Sequence, residues 1–550
     1  MLQIQCTGES MTRRLFGTDG IRGKIVPMNP SERSAILALH EQRVVCPSLL
    51  RLVGEALGHL IDTLPGTGEL VVIGWDDREG NASLVDGLTL GLRLAGCSVA
   101  HIGICATPFL HHSVLSYQAR IGCMITASHN PATDSGIKVF DAHGYKSTPA
   151  FEDRISELVD ALSQEDREVD SIDVHALSQP SQVGVQSSSH SHQDWLTQRL
   201  HSFKRRLYSE SFATSKIAHP LLLDCSKGSA SGWFSGWLTQ HGLEAQEVSL
   251  HAEQINKNCG AGDFSPTAEW SIEEAASSSH ELLKRLKHAP EGTVVGAALD
   301  GDGDRCLVVE TTHTGYKIID GDAMADAILV AGGFNEPGWV IAASIESDLA
   351  LLSTTNRFPN AVQTAETAVG DRWLSHALRT HLSSSVTMPT VLGVEDSGHI
   401  VLPSPHPSIP HQWSLVGDGA ATLVAYLLAR AHEGEKSFSR GWKQRISVTD
   451  VDRSRWDGVN ALSDEIERIA RMHIDQSGSV SQWHRHGLEG EPNLMLIETY
   501  VDGKPLSLGI RNSGTQPKIS VSLRLSKSMD ANVLSNMLPL IAEHLNRFMH

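Results

Sequence analysis

ELVVIGWDDREGNASLVDGLTLGLRLAGCSVAHIGICATP, residues 69–108, holds three segments whose order decides the fold. ELVVIGWDD (69–77) is a short apolar run rich in β-branched residues, the pattern of a strand buried on both faces. SLVDGLTLGLRLAG (83–96) spaces its apolar residues as a helix does and closes on Gly96. CSVAHIGICATP (97–108) is strand-like again, so the stretch predicts a right-handed β-α-β unit. The rhythm returns in HPLLLDCSKGSASGWFSGWL (219–238), TVVGAALDGDGDRCLVV (293–309), GWVIAAS (338–344) and TVLGVEDSGHIVL (390–402). Alternation of this kind predicts three similar mixed α/β domains. From about residue 440 the pattern changes to LMLIETYVDG (494–503), KISVSLRL (518–525) and a terminal helix, which predicts a smaller C-terminal α+β domain. The expected boundaries are 1–213, 214–313, 314–436 and 437–550.

Two stretches interrupt the rhythm. Residues 150–213 include SQPSQVGVQSSSHSHQDW (178–195), whose Ser, Gln and His content predicts a flexible insertion. His190 and His192 could instead hold a metal, but no ordered element is predicted to carry them. PSPHPSIPHQW (403–413) reads as a surface loop.

A chain of 550 residues with 40% apolar and 20% charged residues has ample core material for several domains. Its net charge of −19 disfavours nucleic acid or an anionic membrane as a main partner, since both reward clustered Lys and Arg. The eight cysteines lack paired metal-ligand spacing, as expected of reduced, partly buried thiols. MLQIQCTGESMTRRLF (1–16) has neither a signal-peptide pattern nor a membrane-spanning run, so a cytoplasmic location is expected, and Met11 is an alternative start to Met1.

Four short stretches could carry chemistry. In ITASHNPATDSG (125–136), turn formation accounts for Asn130, Pro131 and Gly136 but leaves Ser128 and His129 open between an incidental and a functional role. In DGDGDR (300–305), Asp300, Asp302 and Asp304 alternate with glycines at the end of an apolar strand. They read as ligands of a hard cation or as a solvated acidic turn. An EF-hand is excluded because its sixth and twelfth positions would be Arg305 and Thr311 instead of Gly and Glu. IRNSGTQPKIS (510–520) offers Arg511, Ser513, Gly514 and Thr515 to an anion, or is a plain turn; RRLFGTDGIRGK (13–24) offers Arg22 and Lys24 in the same way. GVEDSGHIVL (393–402) puts Glu395, Ser397 and His399 on one face if it is extended, as a polyhydroxylated ligand or a surface strand end would require.

Taken in order, FGTDGIRG (16–23), TASHNP (126–131), DGDGDR, the E-x-S-G-H loop (395–399) and R-x-S-G-T-x-P (511–517) resemble the loops of the α-D-phosphohexomutase superfamily. FGTDGIRG and INKNCGAGD (255–263) are most similar to the phosphoglucosamine mutase family. The resemblance covers most of the chain from residue 13 and implies three similar mixed α/β domains plus a smaller C-terminal domain around a central cleft. It implies a phosphosugar mutase that interconverts glucosamine 6-phosphate and glucosamine 1-phosphate through a phosphoserine and a bisphosphate. Ser128 corresponds to the phosphoserine, and Mg²⁺ would be held by Asp300, Asp302 and Asp304 together with Ser128. Arg22 and Arg305 would screen the moving group, with His129 and Lys138 in proton transfer. Glu395, Ser397 and His399 would meet the sugar, and Arg511, Ser513, Gly514 and Thr515 the phosphate that is not transferred. A small hexose phosphate is thus the expected partner of a monomer or homodimer. Val394, Asp396, Gln516 and Ser520 depart from the usual pattern, the last where Arg is frequent. These departures leave a glucose or mannose phosphate mutase as the alternative. A silent sugar-phosphate-binding protein and a phosphatase are the other readings.

Overall fold

The computed structural model describes residues 14–27, 30–165, 171–181, 188–432, 437–512 and 518–550. The alternative starts Met1 and Met11, the His190 side chain, and Ser513, Gly514, Thr515 and Gln516 lie outside the described residues. The chain forms two compact units, Met1–Cys105 with Phe109–Ser188, and Ala106–Pro108 with Ser189–His550.

The first unit is built on a six-stranded mixed sheet. The predicted β-α-β unit is its centre: strand Leu70–Trp75, helix Asn81–Leu94 and strand Ser98–Ile104, the two strands pairing in parallel. Strand Ile121–Ile125 adds in parallel on the other side of Leu70–Trp75, and Asp134–Asp141 turns back antiparallel to it. Val71, Ile73, Val99, Ile121, Cys123 and Ile125 fill the core with Leu84, Leu88 and Leu92 of the helix. Helix Pro47–Leu60 lies so close to Asn81–Leu94 that a Cβ on Gly91 would stand 1.9 Å from the carbonyl oxygen of Arg51. Only glycine permits that approach.

The second unit carries three sheets. Strands Ile217–Asp224, Val294–Leu299 and Cys306–Thr311 lie side by side in a six-stranded mixed sheet. Val340–Ser344, Val391–Val394 and Ile400–Pro405 do so in a five-stranded mixed sheet. The last sheet, from Trp442–Thr449 to Lys518–Leu525, is antiparallel throughout, and helices Ala461–Asp475 and Met537–Met549 bury Ile466, Ala470, Ile541 and Leu545 against it. The protein is therefore a multi-domain mixed α/β chain with an α+β C-terminal part.

Two expectations are corrected. Where a flexible insertion is expected, the described residues of 150–213 are largely helical: Pro149–Leu162 buries Phe151, Ile155 and Val159, and Ser188–Arg206 buries Leu196, Leu200 and Phe203. The Ser, Gln and His content hid the helical spacing of those apolar residues. His192, read as having no ordered support, sits buried on that second helix, 3.9 Å from Asp418, whose carboxylate also accepts Arg199 at 2.5 Å. PSPHPSIPHQW is likewise only partly loop, because strands Ile400–Pro405 and Trp413–Gly417 pair across it.

Candidate functional site

In the first unit, the fully buried strand Ile121–Ile125 delivers the chain into the Ser128 loop. Thr126 is the first fixed point: its hydroxyl donates to Asp76 Oδ2 at 2.6 Å and accepts the Ser128 N–H at 2.8 Å. Ser128 then adopts φ +53°, a left-handed conformation that costs a non-glycine residue on the order of 1 kcal/mol or more. Arg78 offsets that cost. Its buried guanidinium donates to the carbonyls of Ser128 at 2.6 Å, Pro131 at 2.6 Å, Asp134 at 2.9 Å and Asn130 at 3.1 Å, while Nε pairs with Asp76 at 2.9 Å. Asn81 donates to Asp76 Oδ1 at 2.8 Å.

Sequence reading passed over Asp76, Arg78 and Asn81. The available signal was a carboxylate and a guanidinium placed directly after an apolar strand, where lone charges are costly. Replacing Arg78 with Ala leaves Asp76 buried without its cation. The expected cost is about 3–5 kcal/mol of unfolding free energy, read from urea denaturation.

Of the residues expected to act on Ser128, Arg22 reaches it directly, its Nη2 standing 3.1 Å from Oγ. Lys138 pairs with Asp19 at 3.4 Å, as do Arg22 at 3.0 Å and Lys146 at 2.9 Å. Three cations thus share the Asp19 carboxylate, and Arg22 brings positive charge to the serine, a setting that suits an anion. His129 follows Ser128 and is half-buried.

In the second unit, strand Val294–Leu299 turns through Asp300–Arg305 into the antiparallel strand Cys306–Thr311. The turn gathers carboxylate oxygens of Asp300, Asp302 and Asp304 within 4.8 Å of one another, all three residues buried. At an effective dielectric of about 20, each such pair repels by about 3–4 kcal/mol. Thr107 donates to Asp302 Oδ2 at 2.5 Å, and the Arg305 N–H donates to Asp300 Oδ1 at 3.1 Å. An all-oxygen donor set with this charge fits a hard divalent cation.

The Glu395 loop is not extended, contrary to the one-face reading. Residues 395–398 form a turn between strands Val391–Val394 and Ile400–Pro405, closed by the Glu395 N–H donating to the His399 carbonyl at 2.9 Å. The physical reason is Gly398, whose φ of +88° lets the chain reverse where its missing Cβ would meet the Cys306 carbonyl. The Cys306 N–H donates to the Gly398 carbonyl at 3.0 Å, so this turn abuts the aspartate turn.

Its side chains diverge. Glu395 is buried and accepts the Gly370 N–H at 2.6 Å, and Ser397 is half-buried. His399 lies 3.6 Å from Asp304 and 3.4 Å from Asp371. Burial alone would lower its pKa, but those two carboxylates raise it to about 10 and hold the ring as a cation. Asp396 is occupied by Lys443 Nζ at 2.6 Å, and burial pushes its carboxyl up to about 7 against that pairing. Arg305 stands 3.9 Å from Asp304. Arg511 pairs with Glu346 at 2.8 Å and Glu491 at 3.5 Å. The aspartate triad, Arg305 and His399 thus meet at one place, with Glu395 on the adjoining turn.

Residues 13–166 match the family model described as phosphoglucomutase/phosphomannomutase, alpha/beta/alpha domain I, and residues 320–447 match that for domain III. Phosphoglucosamine mutase from Mycolicibacterium smegmatis is 30% identical over 429 residues, covering 76% of this chain and 80% of the relative. The enzyme of that name from Agrobacterium fabrum is 31% identical over 434 residues, covering 76% and 78%. A phosphoglucomutase/phosphomannomutase family protein from Burkholderia thailandensis shares the fold, with a TM-score of 0.63 at 17% identity over 98% of both chains. N-acetylphosphoglucosamine mutase from Aspergillus fumigatus, solved in complex with GlcNAc-6P and magnesium, has a TM-score of 0.52 at 14% identity, covering 95% of this chain and 100% of that one.

Proposed function

This chain belongs to the α-D-phosphohexomutase superfamily and is most like its phosphoglucosamine mutases, and on that premise we propose that it interconverts glucosamine 6-phosphate and glucosamine 1-phosphate. The observation that carries the reading is Ser128, whose hydroxyl a buried arginine clamp and a left-handed backbone present to Arg22. Phosphoserine 128 passes its phosphoryl group to the free oxygen of the sugar phosphate, forming the P–O bond to sugar as the P–O bond to serine breaks. The resulting bisphosphate returns its other phosphoryl group to Ser128 Oγ.

Arg22 holds negative charge on Oγ when the serine leaves. His129 and Lys138 take and return the proton of the sugar hydroxyl. Asp300, Asp302 and Asp304 would hold Mg²⁺, which would supply charge neutralisation for the phosphoryl group. Arg305 and His399, at the edge of the triad, steady Asp304. Glu395 and Ser397 meet the sugar ring, and the 511–515 loop binds the phosphate that stays. Among the described residues no helix is long and apolar enough to cross a membrane, and the seven free cysteines are all buried, in keeping with a reducing, cytoplasmic setting.

Asp396, the departure inside the sugar loop, is committed to Lys443, so amino-sugar preference falls to Glu395. A carboxylate gains about 1.5–3 kcal/mol from an ammonium donor against roughly 0.5–1.5 from a hydroxyl. Glucosamine 6-phosphate should therefore exceed glucose 6-phosphate in kcat/KM by about tenfold, and Glu395→Gln should erase most of that ratio. Wild-type preference for glucose or mannose phosphate would overturn the amino-sugar assignment.

A further inference from the structure

Glu346 bridges two arginines from different strands. Its Oε1 accepts Arg511 Nη2 at 2.8 Å, and its Oε2 accepts Arg445 Nη1 at 2.6 Å. Arg511 is on strand Lys504–Asn512 and Arg445 on strand Trp442–Thr449, with strand Lys518–Leu525 between them. Arg511 is registered with Ser520 and Arg445 with Ser522. Ile519, Val521 and Leu523 of that middle strand point into the core, so Ser520 and Ser522 lie on the same face as the two arginines. Two small side chains therefore stand on the strand between the two arginines, whose guanidiniums both reach the Glu346 carboxylate.

Charges converge here. Arg445 and Arg511 are paired with Glu346 and Glu491, Lys518 lies close to both arginines, and Glu395 and Asp396 act on the arginines as further carboxylates. Burial is the main cause of a lowered pKa at Lys518, and Arg445 and Arg511 push it further down. Burial alone would raise the Glu346 carboxyl, yet Arg511 and Arg445 hold it down at about 2. Glu346 is thus an anion gripped from both sides. The Arg445 side chain is nevertheless 47% exposed, against 18% for Arg511, so this guanidinium is open to a solute.

We propose that Arg445 is the second guanidinium, beside Arg511, that binds the phosphate monoester of the substrate, and that Glu346 is the internal anion this phosphate displaces. The inference rests on the sugar-phosphate reading above. A phosphate offers three oxygens where a carboxylate offers two, and guanidinium forks match it in two-point fashion. A phosphate dianion also attracts the two guanidiniums more strongly than the single charge of a carboxylate does. Arg445 supplies from a neighbouring strand a guanidinium that the sequence lacks at Ser520.

The test uses the full chain carrying Ser128→Ala, which cannot turn over, titrated calorimetrically with glucosamine 6-phosphate and with inorganic phosphate. Arg445→Gln should weaken binding of both about tenfold or more, and Arg445→Lys should recover part of the loss because it keeps the charge without the fork. Glu346→Gln should tighten inorganic phosphate about threefold or more, since the competing anion is gone. Unchanged phosphate affinity in a folded Arg445→Gln protein overturns the proposal, as does the absence of phosphate binding by the parent. If Arg445→Gln does not fold, unchanged or weaker phosphate binding by Glu346→Gln overturns it instead. Failure of the mutase reading shows separately, as a wild-type protein that isomerises no hexose phosphate.

Discussion

Ser128→Ala should lower isomerisation by about 10⁴-fold or more, because removing the group that accepts and donates the phosphoryl removes the covalent route itself. Folding should survive. Thr126, Arg78 and Asp76 hold the loop through its backbone, and none of these contacts uses the Ser128 hydroxyl. The hydrogen bond from Arg22 that the substitution removes is worth about 0.5–1.5 kcal/mol. Chemical denaturation should therefore move little while turnover collapses, and a phosphoserine present in the wild-type protein should be missing from residue 128. A folded Ser128→Ala enzyme with wild-type turnover would remove the serine from the mechanism.

Asp302→Asn should separate stability from activity. In chelator the variant should be more stable than wild type by roughly 1–3 kcal/mol, because two of the three carboxylate repulsions disappear. The gain is below the raw Coulomb sum, since His399 and Arg305 already lie against Asp304. An amide oxygen at the position can still accept the Thr107 hydroxyl. With Mg²⁺ the order should reverse: wild type gains thermal stability, the variant gains far less, and turnover falls about 10²-fold or more. Equal Mg²⁺ stabilisation of both proteins would make the triad a charged turn and nothing more.

Much of this protein was legible before its structure. The strand-helix-strand rhythm of 69–108 reappears as Leu70–Trp75, Asn81–Leu94 and Ser98–Ile104, because buried parallel strands and their crossover helix are specified by local periodicity. DGDGDR predicts clustered carboxylates for the same reason: a tight turn cannot separate residues two apart. Local composition misled where apolar residues were sparse but regularly placed, as in Ser188–Arg206, whose buried Leu196, Leu200 and Phe203 sit among serines and histidines.

The sequence by itself determined the α/β alternation, the change to α+β in the C-terminal part and the short loops that carry the reactive residue types. Tertiary structure alone decided which partner each of those residues meets. Arg78 comes from a loop about fifty residues before Ser128 yet sets its backbone. His399 becomes a cation because the aspartate turn brings Asp304, and the start of helix Asp371–Arg379 brings Asp371, to either side of its ring. Asp396 faces Lys443 instead of a ligand, and Arg445 shares a carboxylate with Arg511 through strand register. Periodicity records how a segment hides its apolar face, whereas the pairing of buried charges depends on which segments pack together.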